Sequence, residues 1–159
     1  MAEAERDALA AWRSIVGTVG SLLDGLADGD LDRRRGDAMS IRETVHHIVE
    51  ADVVAASIVT AALGSPGCVY DWSWMMPFGG WMERLRYGDK PLAPALALLA
   101  ALNEWVAAQV EPLPDALQRT VQLRDSPTAE LRTVTVAEVL LVEVEHAREH
   151  AAAARAGLE

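Results

Sequence analysis

The stretch Thr135-Val136-Ala137-Glu138-Val139-Leu140-Leu141-Val142-Glu143-Val144-Glu145-His146-Ala147-Arg148-Glu149-His150-Ala151 decides the reading of this chain. Thr135 and Glu138 form a capping box: the threonine hydroxyl can accept from the Glu138 amide, and the glutamate can reach back to the Thr135 amide. Val139, Leu140, Val144, Ala147 and Ala151 then recur at helical spacing, and the helix is expected to run to about residue 156. His146 and His150 are four residues apart, so both imidazoles leave the same face one turn apart. A second capping box, Ser40-Ile41-Arg42-Glu43, opens an upstream helix that carries His46 and His47. One helix with a histidine pair and another with a third histidine is how a helical bundle builds a three-ligand metal site.

Working outward, the same periodicity gives two further helices. Leu9, Trp12, Val16, Val19, Leu23 and Leu26 make one apolar stripe, predicting a helix over 4–27 that ends at Asp28-Gly29-Asp30. The upstream histidine helix buries Ile41, Val45, Ile48, Ala51, Val54, Ala55 and Ile58 to about residue 62, where Gly64-Ser65-Pro66-Gly67 stops it. A third long helix starts near Lys90-Pro91-Leu92, with Leu92, Leu96, Leu99, Leu102, Trp105, Val106 and Val110 as its stripe, and Pro112 and Pro114 end it. Two long connections separate these helices. The first, 65–91, holds most of the aromatic residues and suggests a short helix over 79–86. The second, 111–134, alternates at Thr120-Val121-Gln122-Leu123 and Leu131-Arg132-Thr133-Val134 about Asp125-Ser126-Pro127, a β-hairpin pattern near 119–134. The expected fold is all-α: one domain over 1–159, a four-helix bundle with two long connections.

Composition narrows the function. The chain has 159 residues, 51% of them hydrophobic, which suits a single domain with one core. A net charge of −10 repels a phosphate backbone. The one dense basic run, Arg33-Arg34-Arg35, is flanked by Asp30, Asp32 and Asp37 and reads as a solvated loop, so no nucleic-acid partner is expected. The single cysteine, Cys68, excludes an internal disulfide and fits a reducing cytoplasm. The acidic opening Met1-Ala2-Glu3-Ala4-Glu5-Arg6-Asp7 is not a signal peptide, and no apolar run of about 20 residues is expected to span a membrane.

The histidines admit two metal readings. His47 shares a stripe with Ala51, Val54 and Ile58, whereas His46 lies about 100° around the helix. His47 is therefore the inward member, and His47, His146 and His150 are the expected ligands. Three inward imidazoles without a cation would need polar partners in a dry interior. A divalent ion, zinc or nickel, satisfies them and leaves a position open. The rival reading is a di-iron site, because Glu43-Thr44-Val45-His46 and Glu143-Val144-Glu145-His146 are both Glu-x-x-His and Glu104 could add a carboxylate. The first helix supplies no inward carboxylate, and His47 and His150 would go unused. Glu43, Glu143 and Asp52 are candidates for carboxylates behind the ligands or for a general base, with Glu143 also a candidate fourth ligand. Trp72, Trp74, Phe78 and Trp81 are expected either to pack over one end of the core or to wall a substrate pocket.

Ser40-Ile41-Arg42-Glu43-Thr44-Val45-His46-His47-Ile48-Val49 resembles the second helix of DinB/YfiT-like proteins, where such a run carries the first metal histidine, in the register of His47. Glu145-His146-Ala147-Arg148-Glu149-His150, after its hairpin-like lead-in, looks like the fourth helix of that family with its His-x-x-x-His pair. Many relatives continue with a His-His-x-Gly-Gln pattern or carry a further histidine where this chain has Val142; the three assigned ligands are untouched by either departure. The resemblance implies a four-helix bundle with a three-histidine divalent metal site, often a homodimer. It implies an activity like that of bacterial transferases and isomerases that use the low-molecular-weight thiols mycothiol or bacillithiol. The expectation is a cytoplasmic metal-dependent enzyme acting on a small electrophile by thiol transfer. Metal-dependent hydrolysis at the same site, and a non-enzymatic metal- or ligand-binding stress protein, are the alternatives.

Overall fold

In a computed structural model, residues 2–34, 36, 38–75 and 80–158 are described, except for the side chains of residues 2–6. Four long helices make the frame: α1 (Ala2–Leu23), α2 (Ile41–Gly64), α4 (Leu92–Val110) and α5 (Val136–Ala156). A short helix α3 (Trp81–Leu85) lies in the first long connection. Three short strands, β1 (Val69–Asp71), β2 (Thr120–Arg124) and β3 (Arg132–Thr135), form one sheet in the order β1-β2-β3. Around the bundle, α1 packs against α5 and α4, and α2 packs against α4 and α5. Consecutive long helices α1 and α2, and likewise α4 and α5, thus lie largely across the bundle from one another. That placement brings α2 and α5, the two histidine helices, side by side.

The capping boxes read from the sequence set both of those helices. Ser40 Oγ accepts from the Glu43 amide at 3.2 Å, and Glu43 Oε2 accepts from the Ser40 amide at 2.9 Å. Thr135 Oγ1 accepts from the Glu138 amide at 3.1 Å, and Glu138 Oε2 accepts from the Thr135 amide at 2.7 Å. Each box satisfies amides that the first helical turn cannot pair internally. Thr135 also ends β3, pairing with Thr120 across the hairpin, so the sheet leads straight into α5.

The stripes differ from expectation in detail. α1 buries Trp12, Ile15, Val19 and Leu22, while Val16 turns outward, because the helix sits in the groove between α4 and α5. It ends at Leu23, short of the expected residue 27; Gly25 takes φ +70°, a left-handed value that a helix cannot continue through. On α4, Leu99, Val106 and Val110 are buried, but Trp105 is exposed and the inward position is Asn103. The hairpin forms as expected, with Val121, Leu123 and Val134 buried against the bundle. Strand β1 was not expected; it runs parallel to β2, with Tyr70 opposite Leu123.

Two helices, Ile41–Gly64 and Leu92–Val110, are long and apolar enough by length and composition to cross a bilayer, contrary to the expectation that no such run exists. A helix packed inside a bundle meets the same measure, and half of the most apolar window of Ile41–Gly64 is buried here.

Candidate metal centre

α2 contributes His47 and α5 contributes His146 and His150 to one point. One ligand nitrogen from each lies within 4.8 Å of the others. The Nε2 atoms of His47 and His146 are 3.0 Å apart. The His150 ring centroid is 4.6 Å from that of His47 and 4.5 Å from that of His146. Tetrahedral bonds of 2.0–2.1 Å hold imidazole nitrogens about 3.3 Å apart, close to the spacing of His47 and His146. Burial lowers the His47 pKa to about 4, reinforced by His146 and His150. Burial and then His146 also lower that of His150. Both rings are therefore neutral at physiological pH, the form that binds a metal.

Behind the triangle runs a buried chain of polar groups that touches all four long helices. His146 Nδ1–H donates to Glu143 Oε1 at 2.8 Å, leaving the Nε2 lone pair facing His47 and His150. Glu143 lies within hydrogen-bonding reach of Asp52. Asp52 is fully buried. Burial, and then the neighbouring Glu143 charge, raise its pKa to about 9, so it holds a proton and can donate it to Glu143. Its Oδ1 meets no donor among the described residues, as suits an oxygen that carries a proton, while Oδ2 accepts from Asn103 Nδ2 at 3.3 Å. The Trp12 indole N–H in turn donates to the Asn103 carbonyl at 3.4 Å.

The other candidates lie elsewhere. Glu43 has both carboxylate oxygens engaged at the start of α2, one on the Ser40 amide and one on Arg34, so it does not back the ligands. His46 turns to the Lys90 carbonyl at 3.3 Å and the Tyr87 ring. Glu104 is exposed. With Glu43, His46 and Glu104 all directed away, the di-iron arrangement finds no second metal position among the described residues.

The triangle forms one end of a cavity of about 660 Å³. Of the four aromatic residues expected around a pocket, Trp72 lines it. Trp74 is 68% exposed and tilts against Trp81 with ring centroids 5.7 Å apart. Trp81 donates its indole N–H to Glu50 Oε2 at 2.8 Å and is not among the described lining residues. Phe78 lies outside the described residues. The walls include side chains that sequence reading assigns to the core, among them Val54, Ile58 and Val139, together with Val142. Only their position one to three turns from a histidine could have marked them.

A four-helix bundle whose second and last long helices converge three imidazoles on one end of a cavity defines a class of candidate metalloproteins. Residues 11–154 match the DinB superfamily, and the chain belongs to that family. No curated protein matches it. Among solved structures, YfiT from Bacillus subtilis is similar, with a TM-score of 0.75 and 18% identity, over 93% of this chain and 82% of that one. That protein is described as a probable metal-dependent hydrolase with an unusual four-helix bundle topology. At this identity the likeness is one of fold.

Proposed function

We propose that this chain is a metal-dependent enzyme whose residues His47, His146 and His150 hold one divalent cation, zinc or nickel, and which acts as a homodimer on a small electrophile. The observation that carries the reading is the convergence of three ligand nitrogens within 4.8 Å at the end of a cavity. When bound, the cation supplies a Lewis acid that lowers the pKa of a small protic ligand and makes a nucleophile of it at neutral pH. A low-molecular-weight thiol is the leading choice of that ligand, as the resemblance implies. The chain's own residues then have distinct tasks. Glu143 fixes the His146 tautomer, and Asp52 holds Glu143 in place from behind. The apolar walls offer an apolar surface beside the three imidazoles. Hydrolysis is the second reading, favoured by the description of YfiT. A turnover screen separates the two: zinc- or nickel-loaded protein with a thiol and an aryl or alkyl halide should form the thioether with release of halide and a proton, and EDTA should abolish it. Water-dependent ester or amide cleavage without thiol would favour hydrolysis. Metal-dependent ligand binding with no product in any arm would contradict an enzyme.

A further inference from the structure

The cavity beyond the imidazoles restricts what can occupy it. At about 660 Å³ it has the size of a small-molecule site. Val54 and Ile58 of α2, Val139 and Val142 of α5, and Leu123 and Val134 of the sheet make its walls. Met39, Met75 and Met82 add unbranched thioether side chains that adapt to apolar shapes. Four charged residues on the lining have protein partners, whereas the buried Trp72 indole N–H has none among the described residues. Glu50 accepts from the Trp81 indole at 2.8 Å. Glu138 accepts from the Thr135 amide at 2.7 Å and its hydroxyl at 2.9 Å. Arg132 pairs with Asp125 at 3.3 Å, and Glu143 accepts from His146. Away from the Trp72 indole and the imidazoles, the hydroxyls or amides of a ligand would lie against apolar walls, which opposes binding of a ligand rich in them. In the metal-free protein the lining sets Glu50, Glu138 and Glu143 against the guanidinium of Arg132, so an anion there meets an unfavourable field.

We propose that the substrate taken by this cavity is an uncharged, largely apolar molecule, an aryl or alkyl body lying along α2 and α5 with one polar group reaching the His47, His146 and His150 end. The inference rests on the metal-dependent reading only for that reacting group; the apolar body is recognised by the walls alone. It goes beyond that reading by assigning the electrophile to the inside of the cavity.

Two dyes with the same anilinonaphthalene body test it: neutral N-phenyl-1-naphthylamine, and the same molecule with an 8-sulfonate. Fluorescence titration of EDTA-treated protein should give saturable, one-to-one binding of the neutral dye and at least tenfold weaker binding of the sulfonate. Val54→Glu and Val142→Glu should each weaken the neutral dye at least tenfold with unchanged helical circular dichroism. Val142 is 64% exposed, so its substitution leaves the core packing intact. Trp105→Glu, on the exposed face of α4, should have no effect. Equal affinity for the two dyes, or neutral-dye binding that survives Val142→Glu in folded protein, would overturn the proposal. Zinc content is measured on the same samples. Protein that selects the neutral dye but takes up no zinc would refute the metal reading and leave this one standing.

Discussion

At the scale of the residue, Asp52 is the least ordinary group in the chain. A carboxyl buried completely beside a second carboxyl cannot ionise cheaply, and it is retained where an apolar residue would pack without that cost. It neighbours Glu143, which accepts from Nδ1 of His146 and so leaves Nε2 of that ring facing His47. Because its pKa in the fold, about 9, lies above the unfolded value of 3.8, the group's full stabilising share is present only below pH 3.8. That share is lost as pH rises toward 9. Asn at this position cannot titrate. Asp52→Asn should therefore gain stability relative to wild type between pH 5 and 8.5, by at most about 1.4 kcal/mol per pH unit. Urea unfolding in EDTA at several pH values reads this directly, and parallel pH profiles for the two proteins would mean that Asp52 is ionised in the fold. The sequence marked Asp52 and Glu143 as candidates but could not rank them against Glu43. All three sit on histidine helices, and only the fold shows that Glu43 is consumed by its cap and by Arg34.

Among the elements, the long helices were legible because each repeats its apolar residues at three- and four-residue steps and, in two cases, begins with a capping box. Strand β1 was not legible. It is three residues long, and its partner β2 begins at Thr120, so no local pattern announces the pairing. The outward turn of Val16 and Trp105 was equally hidden, since a stripe gives a face and the neighbours decide which edge of it is covered. Thr135 joins the sheet to α5, the helix of His146 and His150, as strand end and as helix cap together. Thr135→Ala should cost about 1 kcal/mol of stability, and Thr135→Ser should restore most of it. The zinc affinity of the folded Ala variant should stay near wild type, because His146 lies about three turns along α5. A large loss of zinc affinity in the folded protein would show that the hairpin positions the ligands more directly than the helix does.

For the whole molecule, crossing the bundle between consecutive long helices is what sets α2 against α5 and gives the three histidines a common point. The triangle itself was readable, since the four-residue spacing of His146 and His150 fixes one face and the stripe of Ala51, Val54 and Ile58 fixes that of His47. The cavity was not, because its walls are drawn from α2, α5, the sheet and the first connection, each in the form of ordinary core residues. The buried polar chain from Trp12 through Asn103, Asp52 and Glu143 to His146 ties the four long helices to the same point. Such a chain makes the geometry of the triangle a property of the entire bundle. The most direct measurement is zinc stoichiometry by calorimetric titration and elemental analysis on the wild type, His150→Ala and His46→Ala. One ion per chain in the wild type and in His46→Ala, with none held by folded His150→Ala, is the expected result; full occupancy in His150→Ala, or loss of the ion in His46→Ala, would contradict the assignment.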